Sequence, residues 1–88
     1  MTPIKIKNIL LTQLPRYNIT IIRKSSKKNY FVIHCIKGLV KLIIELLQLK
    51  RNNSIFVQIK YFSGNQKEFL YIRKQILAII QNFKNKIL

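Results

Sequence analysis

One histidine and one cysteine stand side by side in this chain, and they are the residues that most suggest nucleophilic catalysis. His34 and Cys35 lie within the apolar segment Tyr30–Lys37, whose composition predicts a β-strand. Because neighbouring strand residues point to opposite faces, the imidazole cannot act as a general base on the thiol. We therefore expect a packed strand histidine beside a small buried cysteine, not a catalytic pair.

The two glutamates are the other groups that could carry acid–base or metal chemistry. We expect Glu45 to pair with Lys41 one helical turn away, and Glu68 to form a capping box with Asn65 at a helix start. Two carboxylates, one histidine and one cysteine are too few ligands for a zinc, iron or magnesium site, and one cysteine excludes an internal disulfide. A chain with two glycines also has no Gly-rich phosphate loop. The sequence predicts no enzyme, no metal, no cofactor and no small-molecule substrate.

The basic residues are far more numerous, and they indicate a binding function. Seventeen Lys and Arg against two carboxylates give a net charge of +15, in a chain that is 49% hydrophobic. A disordered basic tail has few apolar residues, so this combination favours a folded domain that binds a polyanion, most simply RNA. The tyrosines Tyr17, Tyr30, Tyr61 and Tyr71 are candidates either for stacking on bases or for the core and its rim. The predicted phosphate contacts are Arg16, Arg23, Lys24, Lys27, Lys28, Lys37, Lys50, Arg51, Arg73 and Lys74.

The hydrophobic pattern predicts one α+β domain over residues 1–88, in the order α-β-β-α-β-α. A first helix follows Thr2-Pro3 and ends at Pro15, and a last helix runs from Asn65 to about Lys84. The predicted three-stranded sheet is covered by these helices and a middle one. Its strands are 18–23, 30–37 and 54–62, and the middle helix is 39–50.

The middle helix is apolar on almost every side, which predicts a second contact surface. Lys41, Glu45 and Gln48 form one narrow polar stripe, so the helix must be buried on more than one side. We expect its apolar residues to divide between the domain's own core and a neighbouring protein. The predicted protein interface consists of Ile43, Ile44, Leu46 and Leu47.

Amino-acid usage and hydropathy bear on where the protein works. Ile (17), Lys (13) and Asn (8) supply 38 of 88 residues, and their codons are rich in A and T, which is typical of organelle genomes. The segment MTPIKIK resembles neither a signal peptide nor a presequence, so an organellar protein of this kind is expected to be made inside the organelle. The longest stretch without Lys, Arg or Glu, Gln75–Phe83, is too short to span a membrane, and no membrane partner is expected.

Several segments resemble the N-terminal half of the universal small-subunit ribosomal protein S-three family, a type II KH domain. The residues that carry the likeness are IKIKNI at 4–9, ITIIR at 19–23 and VIHCIKG at 32–38. The KH G-x-x-G loop is replaced by Gly38-Leu39-Val40-Lys41, which argues against KH-type binding of four nucleotides. The resemblance implies a degenerate KH-like fold that binds rRNA, with the family's C-terminal half encoded as a separate chain.

A second resemblance is to a thioredoxin-like family that includes mitochondrial large-subunit ribosomal proteins. It is carried by LPRY at 14–17, the segment 38–59 and KYFSGNQKEF at 60–69. Together the two resemblances imply a structural protein of the mitochondrial ribosome, bound to rRNA and to neighbouring ribosomal proteins, most simply in the small-subunit head. The alternatives are the large-subunit protein, a basic membrane-active peptide and a free regulator of RNA.

Overall fold

The chain folds as an α+β structure in which two helices pack on one face of a four-stranded antiparallel sheet. The computed structural model describes residues 3–49 and 54–87, and the side chains of 4–49 and 54–83. Helix α1 (Pro3–Gln13) continues into a 3₁₀ turn, Leu14–Tyr17, and helix α2 (Gln66–Ile87) ends the described chain. The strands follow one another across the sheet in chain order: β1 (Thr20–Lys27), β2 (Tyr30–Lys37), β3 (Val40–Gln48) and β4 (Ile55–Ser63).

Strand β3 corrects the largest error of the sequence analysis, which placed a helix at residues 39–50. Val40, Leu42, Ile44 and Leu46 alternate as buried side chains, and the strand pairs with β2 on one side and β4 on the other. The predicted order α-β-β-α-β-α and the three-stranded sheet are therefore wrong, whereas the α+β class is confirmed. A type II KH arrangement needs a helix directly after the second strand, and the described chain has β3 there.

Tight turns explain why β1, β2 and β3 pair as a meander. Lys28 and Asn29 connect β1 to β2, while Gly38 and Leu39 connect β2 to β3. Gly38 has φ +60°, and a two-residue loop with glycine first at positive φ is typical of a type II′ hairpin. Gly38 and Leu39 therefore reverse the chain where a helix from residue 39 was predicted.

Helix α2 begins where the sequence predicts. The backbone N–H of Glu68 donates to Oδ1 of Asn65 at 3.0 Å, which confirms Asn65 as the N-cap. Just before it, the Tyr61 hydroxyl donates to the carbonyl of Gly64, and the Tyr61 ring meets Phe69 edge to face. These contacts fix the direction in which α2 leaves β4 and crosses the sheet.

The core lies between the helices and the sheet. Helix α1 contributes Ile6 and Leu10, which are fully buried, and the sheet contributes alternate residues of β2 and β3. The apolar face of α2 is buried except for Phe83, which is half-buried. Its buried members are Phe69, Ile72, Ile76, Ile79 and Ile80.

Candidate nucleic-acid interface

The side of the sheet away from α1 and α2, which we call the open face, carries a mixed set of cations and apolar side chains. Strand alternation assigns it, because the residues between the buried ones on β2 and β3 point away from the helices. The register aligns Lys27, Tyr30, Leu47 and Phe56 in one row across the four strands. The next rows are Ser25–Val32–Glu45–Gln58 and Arg23–His34–Ile43–Lys60.

Two phenylalanines on β4 are the most exposed aromatic side chains of the open face. Phe56 is 49% exposed and Phe62 is 65% exposed. Their neighbours along the strand, Val57 and Tyr61, instead pack towards the core and α2. Phe62 lies at a register irregularity and helps to line a small cavity of about 80 Å³ with Ile22 and Lys41. The open face therefore presents aromatic rings that the domain does not cover.

The densest basic segment surrounds the edge strand β1. Arg23 and Lys27 point to the open face, Lys24 points to the opposite side, and Lys28 occupies the turn. We call these four residues the hairpin cations, and all four are exposed. On the helix side, Lys24 shares a shallow groove of about 270 Å³ with Lys7 and two serines. Positive charge thus wraps both sides of the β1 edge.

The carboxylate of the open face is already occupied. Glu45 accepts a hydrogen bond from the Tyr30 hydroxyl at 2.5 Å and forms an ion pair with Lys60 at 2.6 Å. The hydrogen bond from Lys60, followed by that from Tyr30, lowers the pKa of Glu45, and the same contact with Glu45 raises the pKa of Lys60. The pairing with Lys41 that a helix would have given does not form, because in β3 the two residues are not one turn apart. A neutralised Glu45 does not repel an anion that approaches this face.

Replacing Glu45 with Gln tests this pair through its pH dependence. Since the folded-state pKa of Glu45 is lowered, its stabilising effect is present above the ordinary value of 4.5 and is lost as the pH falls through the lower folded value. We expect Tm of Glu45→Gln to lie below wild type at pH 7 and to approach it as the pH falls through the lowered folded-state pKa of Glu45. In a Lys60→Gln background the same change should have a smaller effect, and full additivity in thermal melts would contradict the pairing.

The remaining predicted RNA contacts are spread over the rest of the surface. Arg16 lies on the exposed 3₁₀ turn, and Arg73 and Lys74 lie on the outer side of α2. Lys37 ends β2, where its Nζ donates to Oε1 of Gln75 at 3.4 Å. Lys50 and Arg51 lie outside the described residues. The structure brings together Arg23, Lys24, Lys27 and Lys28 but does not join α2's cations to them.

The predicted protein interface divides between the two sides of β3. Ile44 and Leu46 have no exposed surface and belong to the core, so they are not available to a neighbour. Ile43 and Leu47 lie on the open face and are partly exposed. Strand alternation, and not a broad helix, thus leaves two of the four predicted residues outside the core. A protein contact stays a prediction for Ile43 and Leu47 alone.

His34 and Cys35 lie on opposite faces, as the strand prediction requires. Cys35 is 1% exposed, and burial raises the pKa of its thiol to about 12. His34 is half-buried on the open face between Arg23 and Ile43. The thiol is therefore poorly suited to act as a nucleophile, and its burial makes it a useful reporter of folding.

Sequence reasoning missed Lys41, Lys60, Phe56 and Phe62 as members of one surface. Phe56, Lys60 and Phe62 alternate visibly along β4, but a partner face for them exists only once residues 40–48 form a strand. Among the described residues, no three His, Cys, Asp or Glu side chains are grouped to hold a metal ion. Likewise, no helix of the described chain has the length and hydropathy to cross a membrane.

Comparison of the chain with protein families, curated proteins and solved structures gives no match in any of the three.

Proposed function

We propose that this chain is a structural RNA-binding protein of a mitochondrial ribosome. The observation that carries the proposal is the charge of the chain, +15 on 88 residues. One of its two glutamates, Glu45, is already paired with Lys60. Such a domain repels itself unless an anionic partner surrounds it. Ribosomal RNA is a permanent polyanion, and contacts with its phosphates need only positioned Lys and Arg.

The hairpin cations are the best-supported phosphate contacts. They are exposed and concentrated within six residues of an edge strand and its turn. Lysines on an edge strand also prevent unwanted strand pairing, and this simpler role accounts for one or two of them. It does not account for cations on both sides of β1, in the groove beside Lys7 and across the open face. RNA binding explains the whole set.

Placement in the small ribosomal subunit has less support than RNA binding does. It depends on the resemblance of residues 4–9, 19–23 and 32–38 to the S-three family, since the element order that accompanied this resemblance is wrong. The separate C-terminal half and the mitochondrial location are part of the same proposal. Organelle-type amino-acid usage supports the location, and the partly exposed Ile43 and Leu47 offer a contact for a neighbouring protein.

Sedimentation of the native protein tests this function directly. In a mitochondrial lysate we expect the chain to travel with one ribosomal subunit on a sucrose gradient in moderate salt. Treatment with ribonuclease should move it to the top of the gradient, because phosphate contacts hold it. Recovery with the membrane fraction, or at the top of the gradient without ribonuclease, would overturn the proposal.

A further inference from the structure

We propose that the open face binds a single-stranded segment of RNA, with unpaired bases stacked on Phe56 and Phe62 and phosphates held by the surrounding cations. This inference rests on the proposed function and adds the form of RNA that the sheet recognises. It starts from two exposed rings on one strand, Phe56 and Phe62, with Lys60 between them on β4 and Lys41 on the neighbouring strand β3. Lys27 lies in the same row as Phe56, at the far edge of the sheet.

The two rings are held in place before any ligand arrives. Both belong to β4, which pairs with β3 on either side of the register irregularity at Phe62 and packs its other side against the core through Val57 and Ile59. A phenylalanine has two side-chain torsions, so little conformational entropy is lost when a base stacks on it. Base–aromatic stacking is tolerant of sequence, which suits a structural contact.

The spacing of the rings matches a strand of several nucleotides. Phe56 and Phe62 are six residues apart on β4, which corresponds to roughly 20 Å at about 3.3 Å per residue. The sheet is about 14 Å wide from β1 to β4, given three strand spacings of about 4.8 Å. A single strand that runs along β4 can therefore stack at both ends while its backbone passes Lys60 and Lys41. Glu45 lies on this path, and its ion pair with Lys60 leaves that pair without net charge, so Lys41 supplies the uncompensated positive charge there.

Charge decides between this ligand and the other possible occupants. A second copy of the chain would bring +15 against +15, so the face is unsuited to self-association without a polyanion. An RNA duplex presents phosphates and sugars but keeps its bases stacked internally, which leaves Phe56 and Phe62 without partners. A single strand offers flat apolar bases and anionic phosphates together, the combination that this face displays.

The decisive variant replaces both rings with leucine, which keeps apolar volume but removes the π-face. We compare Phe56→Leu/Phe62→Leu with Tyr17→Leu/Tyr71→Leu, a matched pair of exposed aromatic positions outside the open face. The probes are a 12-nucleotide oligouridine and a 12-base-pair RNA duplex, titrated by anisotropy at several salt concentrations. Slow labelling of Cys35 by a thiol reagent shows that each variant is folded.

We expect the phenylalanine variant to bind oligouridine about 10–100-fold more weakly, with an unchanged salt slope and unchanged duplex binding. The tyrosine variant should bind as wild type. Equal oligouridine affinity in wild type and the phenylalanine variant would overturn the inference while leaving phosphate binding intact. So would a wild-type dimer that the variant dissociates in light scattering, or binding of phosphatidylserine vesicles that depends on the rings. Absence of any RNA binding by the folded wild type would instead overturn the proposed function.

Discussion

Replacing Gly64 with alanine should destabilise the fold by on the order of 3 kcal/mol or more, while the same change at Gly38 should cost about 1–2 kcal/mol. Gly64 has φ +104°, and an added Cβ would lie 2.5 Å from the carbonyl oxygen of Leu39 and 2.7 Å from Cα of Val40. Both atoms belong to the backbone where β3 begins, so neither can rotate away. At Gly38 φ is also positive, but no atom lies within 4 Å of the added carbon.

Gly64 has this importance because it lets the start of α2 approach the β2–β3 turn closely. The comparison with Gly38 separates steric overlap from backbone strain, since both glycines have positive φ. Unfolding by urea in about 0.3 M salt, where the Debye length is well under 10 Å, gives the two free energies. Labelling of Cys35 provides a second readout, because the thiol is buried until the sheet opens. Equal losses at the two glycines would show that the close approach does not constrain the fold.

Much of this fold could be predicted from local pattern, and β3 shows where local pattern is insufficient. In Val40–Gln48 the polar residues Lys41, Glu45 and Gln48 have helical spacing, and apolar residues fill the remaining positions. A central strand with apolar residues on both of its faces can have the same composition as a buried helix. Pairing with β2 and β4 decides in favour of the strand, and that pairing is long-range information absent from the segment itself.

The end of β1 shows a second limit. The polar run from Ser25 to Asn29 predicts a turn, yet Ser25, Ser26 and Lys27 continue the strand and the turn is confined to Lys28 and Asn29. An edge strand exposed to solvent has the composition of a loop, so hydropathy cannot distinguish the two.

The same two limits apply to prediction of the candidate site. The hairpin cations could be identified from their charge alone, whereas the open face could not, since it requires β3 to be a strand. Phe56 and Phe62 on β4 face the same side as Lys41 and Ile43 on β3 only because the two strands are paired. The sequence therefore identifies single charged residues, but it does not show which of them share the open face.

Neutralising part of the hairpin should weaken RNA binding far more than neutralising α2. Replacing Arg23, Lys24 and Lys27 with glutamine removes three cations from the β1 edge, and the matched variant removes Lys67, Arg73 and Lys74 from α2. Each phosphate contact contributes about 0.7 to the salt slope with single strands, so the hairpin variant should lose about 2 units. At roughly 0.1 M salt this corresponds to a loss on the order of 100-fold in affinity.

The α2 variant controls for total charge, because each variant replaces one Arg and two Lys and lowers the net charge from +15 to +12. Helix α2 packs on the side of the sheet opposite the open face, so its cations lie away from Arg23 and Lys27. Anisotropy with a 12-nucleotide oligouridine between about 0.05 and 0.3 M salt gives the two slopes. If the salt slope of RNA binding falls equally in both variants, binding depends on net charge alone and the β1 edge has no special role. A smaller slope only in the hairpin variant places phosphate contacts at the β1 edge, the edge of the sheet opposite the rings on β4.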